Sequence, residues 1–102
     1  MLDLKSAHLK LVQQILMRYV PDMTVWAYGS RTNGQSHEGS DLDLVVLNPH
    51  NPSLAQTNLD KLRDAFRESP LPILVDILDW ARTPASFQNE IKKSHIAIFG
   101  KS

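Results

Sequence analysis

Two aspartates and a glycine–serine pair are the residues of this chain best suited to phosphate chemistry. Gly29 and Ser30 end one apolar run, and Asp41 and Asp43 begin the next. Because side chains alternate along a strand, the two carboxylates project to one side, roughly 6–7 Å apart along the chain. Carboxylates this close repel each other, and a divalent cation relieves the repulsion by binding oxygens of both. Hard oxygen ligands in an open site favour Mg²⁺, so we predict that Asp41 and Asp43 bind it.

The turn at Gly29 and Ser30 has the features of a phosphate-binding turn. Glycine has no side chain, so a phosphate can approach its backbone. A helical turn that starts at Ser30 would direct N–H groups toward that phosphate, and the Ser30 hydroxyl is a further donor. Taken alone, the pair is equally compatible with an ordinary turn at a strand end. Arg31 is either a solvated turn residue or a cation at the phosphates.

A third aspartate, Asp76, stands in the middle of the apolar run at residues 73–78. Burial of a lone carboxylate is costly, so a buried Asp76 needs a compensating partner. A metal shared with Asp41 and Asp43 would supply it. Three carboxylates from two strands beside a phosphate-binding turn are typical of metal-assisted phosphoryl or nucleotidyl transfer.

Hydrophobic periodicity predicts an α+β chain in which helices cover a small mixed sheet. The predicted elements are helices at 4–19 and 54–68, strands at 23–28, 42–47 and 73–78, and a last helix opened by Thr83-Pro84. Residues 96–99 form either a fourth strand or an apolar tail. We expect Trp80 and Phe87 in the core, with a partner-binding surface as the alternative, and Asp79 as a polar residue at a strand end.

Length and composition restrict the class of protein. The 102 residues predict one domain, 1–102, with a single core. Eleven basic residues balance eleven acidic ones, so no positive field favours a nucleic-acid template. The chain has no cysteine, no run long enough to span a membrane and no secretory pattern at its start, so we expect a cytoplasmic protein.

The motif residues together resemble a known family. Gly29-Ser30, then Gly34, then Ser40-Asp41-Leu42-Asp43-Leu44 is similar to the signature of the DNA polymerase β-like nucleotidyltransferases, and Asp76 matches their third aspartate. The length and the wording GSRTNG…SDLDL look most like the minimal nucleotidyltransferases (MNT proteins), the antitoxin half of HEPN–MNT toxin–antitoxin pairs. The resemblance extends from the first helix to the last strand and implies the minimal nucleotidyltransferase fold.

This resemblance implies an enzyme that transfers AMP from ATP to a hydroxyl of a cognate helical HEPN toxin, a tyrosine in characterised systems. By position it assigns Gly29 and Ser30 to the nucleotide phosphates, with Arg31 beside them. It assigns Asp41 and Asp43 to Mg²⁺, with two ions expected. Asp76 becomes the third carboxylate, which helps to hold metal and deprotonates the acceptor hydroxyl.

One departure from the family pattern concerns charge. Many relatives have Ala-Arg where this chain has Thr32 and Asn33. Asn33 removes a cation, so charge neutralisation depends more on Mg²⁺ and on Arg31. The departure bears on rate and affinity and leaves the reaction class unchanged.

Other functions share parts of this pattern. The main alternative is a catalytically weak nucleotide-binding module that neutralises its partner by occlusion. The presence of all three aspartates favours the enzyme. A small-molecule adenylyltransferase would need its own acceptor pocket, for which 102 residues leave no room. A polymerase is disfavoured because no basic surface would hold a template.

Overall fold

The structure is a computed structural model that describes residues 2–100. Its helices are α1 (Ser6–Tyr19), α2 (Leu59–Glu68) and α3 (Ala85–Lys93), and its strands are β1 (Thr24–Tyr28), β2 (Leu42–Leu47), β3 (Val75–Asp79) and β4 (His95–Phe99). Two short 3₁₀ turns, Ser30–Thr32 and Trp80–Arg82, follow β1 and β3. Among the described helices, none is long and apolar enough to cross a membrane.

The four strands form one mixed sheet in the order β3-β2-β1-β4. β1 pairs antiparallel with β2 and β4, whereas β2 and β3 are parallel. A parallel pair needs a crossover connection, and α2 lies in that crossover. The prediction of a small mixed sheet flanked by helices is confirmed. Residues 96–99 belong to a fourth strand, which settles the alternative in favour of the strand.

The two faces of the sheet are covered unequally. One face carries the main core, in which α1 and α2 pack over the strands through apolar residues such as Leu16, Leu62 and Phe66. The opposite face carries a smaller cluster under α3, centred on Tyr28 and Trp80. Because alternate strand residues face opposite sides, Val45 and Leu47 of β2 belong to the smaller cluster and Asp43 lies on the same face. The motif aspartates lie on this less covered face.

The first helix and the first two strands agree with their predicted positions, and α2 does not. It was predicted to begin at residue 54 and begins at Leu59. The preceding segment is held in a loop instead, because the N–H of Leu54 donates to the Asn51 carbonyl and that of Gln56 donates to Asp79. A helix over 54–58 would have to break this long-range bond to Asp79.

Of the two aromatic residues predicted to lie in the core, one is buried and the other is exposed. Trp80 is buried in the smaller cluster, as predicted. Phe87 is 42% exposed, so its prediction as a core residue was wrong. Its ring contacts Tyr28 edge-on, with centroids 5.8 Å apart.

Candidate active site

A row of three polar side chains crosses the sheet at the motif. Tyr28 of β1 is the register partner of Asp43 of β2, and Asp43 is the register partner of Asp76 of β3. Register partners on neighbouring strands project their side chains to the same face. The sheet therefore brings the second and third predicted carboxylates side by side, with a phenol on the other flank.

The surroundings of this row disfavour ionisation of its side chains. Burial raises the pKa of Asp43, and the carboxylates of Asp76 and then Asp41 raise it further. Burial also raises the pKa of the Tyr28 phenol, and the charges of Asp43 and Asp76 add to the effect. Both shifts have the same two causes, because burial disfavours the ionised form of each group and the nearby carboxylates disfavour it further.

Asp76 differs from its prediction in one respect. It was expected to be buried, and it is exposed. β3 is an edge strand, and the face on which Asp76 lies is not covered at that point, so solvent reaches the carboxylate. An exposed Asp76 does not need a metal to compensate its burial, so its proximity to Asp43 and Asp41 is what favours a shared cation.

The buried carboxylate of β3 is Asp79, which is 8% exposed. It accepts hydrogen bonds from the backbone N–H groups of Gln56 (2.9 Å) and Ala81 (3.2 Å) and from Nε of Arg82 (3.2 Å). Asp79 thus caps the turn after β3 and anchors the loop before α2. Its prediction as a polar residue at the strand end is confirmed, and its partners give it a structural role.

Gly29 is required by both its backbone and its neighbour. It has φ +82° and ψ −156°, a conformation that only glycine adopts readily. A Cβ atom placed there would overlap Oδ2 of Asp43 and lie 3.3 Å from its Cγ. The missing side chain thus brings the backbone of the turn directly against the Asp43 carboxylate.

The helical turn predicted to start at Ser30 is present as a 3₁₀ turn. The N–H of Thr32 donates to the Gly29 carbonyl at 3.0 Å, and the Thr32 hydroxyl donates to the same oxygen at 2.7 Å. Within residues 2–100, the Ser30 hydroxyl has no hydrogen-bond partner. It is therefore available to a ligand at the turn.

Arg31 is buried, with 6% of its surface exposed, and its guanidinium is bound by backbone carbonyls. Nε and Nη2 donate to the Ser40 carbonyl at 3.0 and 2.8 Å, Nη1 donates to the Asp3 carbonyl at 2.7 Å, and Nη2 also reaches the Glu38 carbonyl at 3.1 Å. These contacts favour a clamp that joins the turn to the loop before β2 and to the amino-terminal segment. The alternative of a solvated turn residue was wrong, because the side chain is buried. Phosphate binding by Arg31 stays a prediction.

The donor set fits Mg²⁺ as an open site. Within residues 2–100, no group of three or more acidic or histidine side chains converges into a ready-made metal centre. Mg²⁺ does not need one, since it is commonly bound through one or two carboxylates together with substrate phosphates and water. The adjacent pair Asp43 and Asp76, with Asp41 nearby, offers only hard oxygen atoms. Burial raises the pKa of Asp43, and the charges of Asp76 and Asp41 raise it further; a cation would offset the repulsion among these carboxylates.

Sequence reasoning missed Tyr28 and Phe87 at this site. Tyr28 was treated only as part of an apolar run, although its place directly before Gly29 puts it on the face opposite Ala27 and beside Asp43. Strand alternation gave a signal for this placement. No local signal placed Phe87 over Tyr28, because that contact depends on how α3 packs on the sheet.

Comparison with known proteins gives consistent matches. Residues 1–100 match the family described as "Poly(A) RNA polymerase, mitochondrial-like, central palm domain". The probable protein adenylyltransferase MntA of Haemophilus influenzae is 45% identical over 97 residues, which are 95% of this chain and 83% of that protein.

Two solved structures share the fold. A toxin–antitoxin structure with AMP-PNP aligns with a TM-score of 0.73 at 20% identity, over 92% of this chain and 74% of that one. A complex of tri-AMPylated Shewanella oneidensis HEPN toxin with MNT antitoxin aligns with a TM-score of 0.65 at 16% identity, over 96% and 74% of the two chains.

Proposed function

Because the chain belongs to the minimal nucleotidyltransferases of the DNA polymerase β-like superfamily, we propose that it transfers AMP from ATP to a tyrosine hydroxyl of a HEPN-family toxin and so acts as the antitoxin. The observation that carries the proposal is the register pairing of Asp43 with Asp76, directly beside Gly29. The relative named a probable protein adenylyltransferase and the AMPylated HEPN toxin bound to an MNT antitoxin support the choice of reaction and partner.

The nucleotide site in this proposal is the turn together with the aspartates. Gly29 admits the phosphates to the backbone, and the Ser30 hydroxyl donates to a phosphate oxygen. Asp41, Asp43 and Asp76 hold two Mg²⁺ ions between them. When bound, Mg²⁺ neutralises the charge of the phosphates and of the carboxylates that repel them.

The proposed reaction is a single displacement at the α-phosphorus. The acceptor oxygen forms a bond to that phosphorus, the bond from the phosphorus to the bridging oxygen breaks, and pyrophosphate leaves. Asp76 takes the proton of the acceptor hydroxyl. Its exposure on the edge strand supports this role, because a group on another protein can reach it. Asp43 lies between Tyr28 and Gly29, a position next to the phosphate-binding turn that favours a role on the nucleotide side.

Intact-mass analysis of the partner tests the proposal. The purified chain is incubated with its HEPN-type partner, ATP and Mg²⁺, and we expect the partner to gain the mass of one or more AMP units. The matched controls are the same mixture with EDTA and the variant with both Asp41→Asn and Asp43→Asn, neither of which should give a mass gain. A tight complex without any mass gain would contradict the enzyme and support neutralisation by occlusion.

A further inference from the structure

We propose that the groove along the outer edge of β3 is the acceptor site, where an extended acidic segment of the partner protein pairs with the strand and presents its hydroxyl to Asp76. This inference rests on the proposed function and adds the surface and the kind of segment that it recognises. The position of the groove, the backbone groups of β3 that point into it and the side chains on its walls support this assignment.

The groove is continuous with the candidate active site. It has a volume of about 490 Å³, within the range of roughly 300–1,000 Å³ that is usual for binding pockets. Its lining comes from α2, from the segment before β3, from β3 itself and from the residue before β2. These lining residues include Arg63, Arg67, Leu74, Val75, Asp76 and Asp41. Two of the three candidate carboxylates therefore line the same groove, and a segment bound along it passes directly by them.

The outer edge of β3 presents backbone groups for pairing. β3 is the terminal strand of the sheet, and its inner side pairs with β2, where the Leu42 N–H donates to the Leu74 carbonyl at 2.9 Å. Backbone direction alternates along a strand, so the N–H and C=O groups of Val75 and Ile77 point outward. Nη2 of Arg63 already donates a hydrogen bond to the Ile77 carbonyl at 2.9 Å. Within residues 2–100, the N–H and C=O of Val75 have no hydrogen-bond partner.

An edge with free backbone groups is a template for an added strand. Peptide recognition by strand addition takes its affinity from such main-chain bonds and its specificity from side chains next to the edge. Because Arg63 covers Ile77, pairing is restricted to the Val75 end of β3. That end lies next to Asp76, so the added segment is held where the proposed proton acceptor can reach its hydroxyl.

The walls of the groove define the chemistry of the segment. Leu74 is 72% exposed and offers an apolar contact directly before β3. Arg67 stands on the α2 wall. Among the described residues it pairs only with Asp64 of its own helix, in an exposed ion pair that contributes little to stability. Its guanidinium can therefore turn to an incoming carboxylate. Asp41 and Asp76 repel acidic groups at the other end, so the acidic residue of the segment lies on the Arg67 side of the hydroxyl.

The test uses variants that change the groove and leave the nucleotide site intact. Val75→Pro removes the outward N–H at the first residue of the strand, where an edge position tolerates proline. Val75→Ile keeps that N–H and is the matched control. Arg67→Glu reverses the charge on the α2 wall, and Arg18→Glu, on the exposed surface of α1, is the control for charge reversal.

The measurements are the KM for the HEPN-type acceptor, the affinity for Mg²⁺–ATP and the melting temperature. We expect Val75→Pro and Arg67→Glu to raise the acceptor KM at least tenfold, with unchanged Mg²⁺–ATP affinity, and both controls to behave as wild type. A wild-type acceptor KM in Arg67→Glu and in a folded Val75→Pro overturns the groove and leaves the proposed function standing. If Val75→Pro does not fold, Arg67→Glu decides alone. A wild-type chain that transfers no AMP to the partner overturns the proposed function, and the groove inference with it.

Discussion

At the scale of single residues, Asp43 lies where its surroundings oppose its charge. It is partly buried against Gly29 and flanked by Tyr28 and Asp76. Desolvation and the neighbouring carboxylates raise its pKa, which means that the folded chain is less stable with Asp43 ionised than it would be with a neutral side chain. A position that costs stability and holds a carboxylate beside a second one is typical of a functional site.

Asp43→Asn should therefore stabilise the ligand-free protein at neutral pH and abolish transfer. The pKa of Asp43 is raised in the folded state above its ordinary value of 3.8, so the folded chain favours the protonated carboxyl. The contribution of this group to stability is fully present below pH 3.8. It is lost as the pH rises through the folded pKa. We expect the melting temperature of the variant to exceed that of wild type at pH 7 and the difference to shrink toward pH 4. Equal melting curves at both pH values would contradict the crowded-charge interpretation.

Asp76→Asn separates binding from chemistry. It preserves the volume of the side chain and removes the charge. Mg²⁺–ATP affinity should change little, because the turn and the Asp41–Asp43 pair hold the nucleotide while Asp76 faces the acceptor. Loss of a general base typically slows a reaction by about 10²–10⁴-fold, and we expect transfer to fall by about two orders of magnitude or more. Calorimetry and a quantitative AMP-transfer assay measure the two effects. Transfer at the wild-type rate would make Asp76 a structural residue.

Gly29→Ala should disturb both the backbone and Asp43. The glycine-only conformation at this position costs an ordinary residue roughly 1–3 kcal/mol, and the new Cβ displaces the carboxylate that it would overlap. Gly34→Ala is the control, because Gly34 also has positive φ (+80°) but its added Cβ meets no atom of the described chain within 4 Å. Urea denaturation and the transfer assay should show a loss of transfer in Gly29→Ala beyond the loss explained by stability, and no such excess in Gly34→Ala.

At the scale of elements, the motif turn is held in place by the segments on either side of it. Arg31 joins the 3₁₀ turn to the Ser40 carbonyl just before β2, and the Asp3 N–H donates to the Arg31 carbonyl at 2.7 Å. The Ser36 hydroxyl donates to the Asp3 carboxylate, which ties the intervening loop to the same segment. One buried guanidinium thus sets the distance between the phosphate-binding turn and the start of the Asp41–Asp43 strand.

Arg31→Lys should destabilise the fold by roughly 2–4 kcal/mol, because an ammonium cannot reproduce the planar fork of donors and buried carbonyls lose their partners. Arg67→Lys, at an exposed ion pair, is the control and should change stability by less than about 1 kcal/mol. Urea unfolding and Mg²⁺–ATP calorimetry distinguish the roles. Unchanged stability with lost ATP affinity would support a phosphate-binding Arg31 over the clamp.

At the scale of the whole molecule, eleven acidic residues balance eleven basic ones, but negative charge is in excess at the candidate site. Three aspartates line the position proposed for the nucleotide, and Arg31 is already engaged by carbonyls. A triphosphate approaching without a cation meets repulsion at short range, where the effective dielectric constant is lower than in water.

We therefore expect ATP to bind only with Mg²⁺ or Mn²⁺. Calorimetric titration of the chain with ATP should give measurable affinity with the metal and none with EDTA. The variant with both Asp41→Asn and Asp43→Asn should lose the metal-dependent binding, because the metal acts through these carboxylates. Equal ATP affinity with and without EDTA would remove the role of a bridging cation.

Several features of this protein were determined by local sequence. The spacing of apolar residues predicted α1, β1 and β2, because helix and strand periods depend on neighbours a few residues apart. The Gly29-Ser30 turn and the Asp41–Asp43 alternation were equally local, and so was the resemblance to the nucleotidyltransferases built on them. The placement of Tyr28 beside these residues could have been predicted from the same strand alternation.

Other features were decided only by the tertiary structure. Asp76 is exposed because β3 is the edge of the sheet, and strand order cannot be derived from the composition of the strand itself. Arg31 is buried because carbonyls remote in sequence, from Asp3 to Ser40, converge on it. Residues 54–58 stay in a loop because of a hydrogen bond to Asp79. Each of these outcomes depends on which segments meet across the fold, and burial and hydrogen-bond partners between distant segments are properties of packing that local periodicity does not encode.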